Sequence, residues 1–219
     1  MLIANRLREN NRAEYLLYMW QVEDIIRANG CDLDRLRENY LSQFQLTGEA
    51  QQQLEQWYAD LCEMMRSEGK TQSGHLQINL NVVETLAELH EALLRSEKFP
   101  YYRQLYYKVL PYLVELRAKN GAKDSAGIRE ELNLCFELLY GVMLLRLQKK
   151  EISAPTQQAA EAISKFLGQL SDYWKANKTG QLELDLLRGT FISHLRASDS
   201  ARSPFPPYSP DLPHFLQDA

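Results

Sequence analysis

"SGHLQINLNVVETLAELHEALL", Ser73–Leu94, sets the fold of this chain. Val82, Leu86, Leu89 and Leu93 recur at spacings of four, three and four, the rhythm of an amphipathic helix. At about 100° per residue, Gln77, Asn81, Glu84, Glu88 and Glu91 fall on the opposite, solvated side. His75, Asn79 and His90 fall on or near the apolar face. A buried polar group left without a hydrogen bond costs about 1–3 kcal/mol, so these three need partners. The stretch therefore predicts both a packed helix and an inward-facing polar set.

The same rhythm extends in both directions. Before it, a helix is expected over 4–29, ending at Asn29-Gly30, then a short one over 34–44. Thr47 is placed to cap a third over 48–68, closed by Gly69. Ser73 is the expected cap of the fourth, which runs to about Ser96. Pro100 suits the first turn of a fifth helix, to Lys119, with a kink at Pro111 that leaves the Tyr107 carbonyl unserved. Asp124 or Ser125 opens a sixth, to about Lys150, and Ser153 with Pro155 opens a seventh, to about Lys178. No alternating strand pattern occurs. The expectation is an all-α, single bundle of about seven helices over residues 1–184. Residues 185–219 read as an extended, proline-rich tail: "ARSPFPPYSPDLPHFLQDA" holds five of the eight prolines and three PxxP matches.

Two further helices carry polar residues on faces expected to be buried. In the first, a stripe through Leu7, Tyr18 and Ile25 includes Asn11, Glu14 and Gln21, while Arg12, Glu23 and Arg27 lie opposite. Its centre, "YLLYMW", is apolar nearly all round. The sixth helix is apolar all round too, yet carries Glu137 and Arg146. Glu14, Gln21, His75, Asn79 and His90 are thus expected to form a buried polar cluster between the first and fourth helices. Glu137, Arg146 and Tyr107 are secondary candidates, Tyr107 from the tyrosine group 101, 102, 106, 107 and 112 beside Pro111. A satisfied network that fixes helix register is the competing structural account.

Other chemistry is not written here. A net charge of −4 and dispersed lysines and arginines give no field for nucleic acid. Cys31, Cys62 and Cys135 are odd in number and lack zinc spacing, which suits reduced thiols in the cytoplasm. There is no HExxH, no Glu-x-x-His and no Gly-rich phosphate loop, so no metal or cofactor is expected. "MLIANRLRENNRAEY" lacks the apolar run of a secretory signal. The most apolar stretch, Leu132–Leu147, is shorter than the roughly 20 residues of a membrane span.

Four blocks taken in order carry a likeness: "AEYLLYMWQVEDIIRA" (13–28), "GHLQIN" (74–79), "KFPYYRQLYYKVLPYLVELR" (98–117) and "CFELLYGVMLLRLQKKEIS" (135–153). Through them the chain resembles a bacterial all-helical family that carries only a domain-of-unknown-function label, over about residues 1–184. The resemblance implies a compact helical cytoplasmic protein and supplies no activity; the tail departs from the family. Two functions follow as expectations. The first is a non-enzymatic module that meets another protein or a second copy of itself. The second is a small-molecule binder, an enzyme included, with its site between the first and fourth helices.

Overall fold

The computed structural model describes residues 2–120 and 127–182. Among the described residues the fold comprises eight α-helices and no strand. They are α1 (Leu2–Asn10), α2 (Arg12–Ala28), α3 (Leu33–Asn39), α4 (Gly48–Ser67), α5 (Gln77–Arg95), α6 (Pro100–Asn120), α7 (Ile128–Leu147) and α8 (Ala154–Lys178), with a 3₁₀ turn at Leu41–Phe44. The proposed openings of α7 at Asp124 or Ser125, and the proline-rich tail, lie outside the described residues.

Local chemistry explains most of the ends. Ser153 caps α8 by accepting from Thr156 N–H, with proline in the first turn. Asp32 caps α3 through Arg35 N–H at 3.0 Å. Thr47 stands before α4 as expected, but its side chain makes no capping bond. α6 runs through Pro111, which is exposed, so the Tyr107 carbonyl it cannot serve lies on the water side.

The expected first helix is two helices. The Asn11 side chain accepts from Ala13 N–H and Glu14 N–H, both at 3.2 Å, and starts a new helix there. The expected 34–44 helix also divides, into α3 and the 3₁₀ turn.

One continuous core gathers side chains from every helix. α8 lies at its centre, against α1, α2, α5, α6 and α7, through Ile163, Phe166, Leu167, Leu170 and Trp174. Phe99 packs on Tyr173 and Tyr106 on Phe166, so α6 and α8 run antiparallel. α5 buries Val82, Leu86, Leu89 and Leu93, the face its sequence marks, against α7, α8, α6 and α2. α3 and α4 pack on each other at one side. α2 meets α5 at one end of that interface, and there the polar residues gather.

Candidate functional site

α2 turns a different face inward from the one its sequence suggests. Leu16, Met19, Glu23 and Ile26, spaced three, four and three, point to the core. Glu14 is exposed, and its carboxylate accepts from the Asn11 amide at 2.8 Å. Gln21 is half-buried on the outer side. The reason is the break at Asn11. Leu7 belongs to another helix and cannot set the phase of this one, and "YLLYMW" is too evenly apolar to set it either. Glu23, placed among the solvated residues by the wheel of an unbroken helix, is 0% exposed.

Glu23 is the hub of the α2–α5 junction. Its Oε1 accepts from Leu76 N–H at 2.9 Å and from the Asn79 amide at 2.7 Å. Its Oε2 lies 2.6 Å from His75 Nδ1 and 3.7 Å from the Arg27 guanidinium. These donors repay the desolvation of a buried carboxylate. α5 begins at Gln77 rather than at Ser73, and its cap residue Leu76 has no side chain to offer. Glu23 serves Leu76 N–H from another helix and Glu68 accepts from Gln77 N–H at 2.7 Å, both carboxylates favourably placed at the positive end of the α5 dipole.

His75 therefore sits in the loop just before α5. Arg27 holds that loop, donating to Lys70 O at 3.1 Å and to Gly74 O. Gly74 has φ +83°, a conformation that suits glycine. The His75 ring stacks on Trp20, centroids 4.0 Å apart and planes 11° from parallel. Trp20 is in turn braced edge-on by Phe136 and Tyr140. The Tyr140 hydroxyl donates to Asp24, which also pairs with Arg27 at 2.6 Å. Burial, then that bond to Asp24, pushes the Tyr140 phenol well up.

His90 belongs to a different place. It lies eleven residues beyond Asn79 on α5, about 16 Å along the axis at 1.5 Å per residue. It is 0% exposed, with Nδ1 2.6 Å from the Tyr102 hydroxyl and rings of Tyr102, Tyr106 and Phe166 around it. Burial pushes its pKa down to about 4. Its Nε2 is enclosed and meets no hydrogen-bonding atom among the described residues, as is true of Asn79 Oδ1.

So the expected five-residue cluster is two centres and one exposed carboxylate. His75 and Asn79 converge on Glu23; His90 does not join them; Glu14 is out in water and Gln21 on the outer side. The secondary candidates are corrected as well. Glu137, Arg146 and Tyr107 are all exposed. α7 has more apolar residues than its neighbours cover, as Leu147 at its exposed end shows, so its polar positions can face water. Its buried carboxylate is Glu131, which accepts from Tyr106 at 2.8 Å and pairs with Arg117. The missed signal for Glu23 was its phase with Leu16, Met19 and Ile26. For Glu131 it was adjacency to Leu132 and spacing of four from Cys135.

Cys31, Cys62 and Cys135 are free and buried. No group of three or more metal-ligating side chains comes together among the described residues. No helix among them is long and apolar enough to cross a membrane.

The fold and junction define an all-helical bundle with a buried carboxylate that grips a half-exposed imidazole. Its sequence matches the model of the domain-of-unknown-function family DUF4924 over residues 1–181, and the chain belongs to that family. Comparison with curated proteins and with solved structures returns no match.

Proposed function

We propose that this chain binds a small polar molecule at the α2–α5 junction, with His75 as the contact residue. One observation carries the reading. A fully buried carboxylate holds one nitrogen of an imidazole whose side chain remains 29% exposed, with the ring backed by Trp20. A histidine fixed by bond and stack costs little entropy to engage a guest. A purely structural latch would need Leu76 N–H and Asn79, but not a half-exposed imidazole. The test is a thermal-shift screen of metabolites against the native protein and His75→Gln. A ligand at a hundred times its Kd adds about 2.7 kcal/mol of stability, visible as a raised Tm. The reading expects a compound that stabilises the native protein and has no effect on the variant; silence across a broad library rejects it.

A second reading, interaction with another protein or a second copy, draws on α6. Tyr107 (63% exposed), Pro111 and Val114 (58% exposed) share its outer face at spacings of four and three. Light scattering across a concentration series tests self-association. A mass that rises in the native protein and stays monomeric in Tyr107→Glu/Val114→Glu supports it.

A further inference from the structure

We infer that His75 Nε2 is a fixed proton acceptor, set to take a proton from a guest bearing an acidic hydroxyl of the phenol or enol kind. This rests on the reading that a small molecule binds at the α2–α5 junction.

The argument is a count of donors and acceptors. As a carboxylate, Glu23 can only accept. Its Oε1 is already engaged by Leu76 N–H and the Asn79 amide. Its Oε2 faces the Arg27 guanidinium and, at 2.6 Å, His75 Nδ1. The proton in that short contact therefore sits on Nδ1. A neutral imidazole carries one N–H, so its second nitrogen holds a lone pair. Nε2 has no hydrogen-bonding partner among the described residues, and it is absent from the enclosed polar atoms that lack one, which include His90 Nε2. It is thus an open acceptor.

Carboxylate and stack then do separate work. Glu23 fixes the tautomer and stabilises the imidazolium that forms once Nε2 takes a proton, as carboxylates behind ligating or proton-accepting histidines do. Trp20 fixes the plane of the ring and covers one face. The other face meets no aromatic ring among the described residues. The transfer balances simply. The guest O–H bond breaks, an Nε2–H bond forms, and the pair becomes imidazolium and oxyanion beside Glu23. No oxidant, metal or further reactant enters.

The test is long-range ¹H–¹⁵N correlation NMR of the full, ¹⁵N-labelled chain, at a pH where imidazole is neutral. The inference expects the His75 signals to show protonated Nδ1 and bare Nε2, and expects Glu23→Gln to shift that balance toward protonated Nε2. The native spectrum decides the tautomer alone, should the variant fail to fold. p-Nitrophenol is then titrated in near its own pKa. Its phenolate absorbance should rise with the native protein above the level seen with His75→Gln, while the His75 Nε2 signal moves to the protonated range. A protonated Nε2 in the free native protein, or no response of His75 to the phenol, overturns the proposal. A metabolite lost with His75→Gln but accompanied by a protonated Nε2 keeps the binding reading and ends this one. A bare Nε2 that responds to the phenol, with no metabolite found, does the reverse.

Discussion

Two histidines on or beside one helix meet opposite environments. His75, at the entry of α5, keeps part of its surface in water and leans on a buried carboxylate. His90, deep in α5, meets the Tyr102 hydroxyl and the rings of Tyr102, Tyr106 and Phe166, with no carboxylate bonded to it among the described residues. At the first, a buried carboxylate holds one ring nitrogen. At the second, desolvation forbids a charge on the ring and holds the pKa near 4. Burial thus keeps one histidine uncharged, while the other, at the protein surface, holds a buried carboxylate.

The largest test of that contrast removes the anion. Glu23→Ala leaves Leu76 N–H, the Asn79 amide and His75 Nδ1 without their acceptor. A loss of about 3–5 kcal/mol is expected in urea denaturation. Next is pH. The unfolded chain takes up a proton at His90 below about pH 6.5, whereas the folded chain resists until about pH 4. The unfolded state therefore binds more protons in that window, and stability falls as pH falls through it, by about 3 kcal/mol in all. His90→Phe should flatten this part of the stability–pH curve, measured by denaturation at pH 7 and pH 4.5.

Smaller effects sharpen the picture. Tyr102→Phe strips His90 Nδ1 of its bond inside an aromatic enclosure and should cost about 1–3 kcal/mol by the same denaturation. Asn11→Ala removes the cap that separates α1 from α2 and should cost about 1 kcal/mol, with faster amide exchange at Glu14, while Ala13 N–H keeps its bond to Ser171 Oγ at 3.0 Å. Glu14→Ala should cost less than about 1 kcal/mol, since that carboxylate is exposed at a helix start. A Glu14→Ala loss as large as that of Glu23→Ala would mean that α2 turns the other way.

Helices were legible because their periods are strong and their ends carry chemical marks. Val82 to Leu93 gave α5 its inner face, and with it Asn79 and His90, both of which are fully buried. Gly69, Pro100 and Ser153 marked ends or starts within a few residues of the observed ones. α2 was misread for a local reason. Its start depends on an asparagine side chain within a run that otherwise looks continuous, and its middle is apolar in every direction. A wrong start shifted the wheel by half a turn and exchanged Glu14 for Glu23. The Glu23–His75 pair was not legible at all, because the two residues are 52 positions apart and meet only when the loop before α5 folds back. Glu131 was hidden similarly: its bonds come from Tyr106 and Arg117, on another helix.

The missing side-chain cap on Leu76 has a consequence for how this chain can be divided. The opening of α5 is served by two carboxylates from elsewhere in the chain: Glu23, 53 residues upstream, takes Leu76 N–H, and Glu68 takes Gln77 N–H at 2.7 Å. A fragment beginning after Gly30 would carry the whole α5 sequence and keep Glu68, but lack Glu23, one of the two groups that serve its opening turn. Dissection experiments should therefore cut elsewhere, and the bundle should melt as one unit because its helices are not individually self-sufficient.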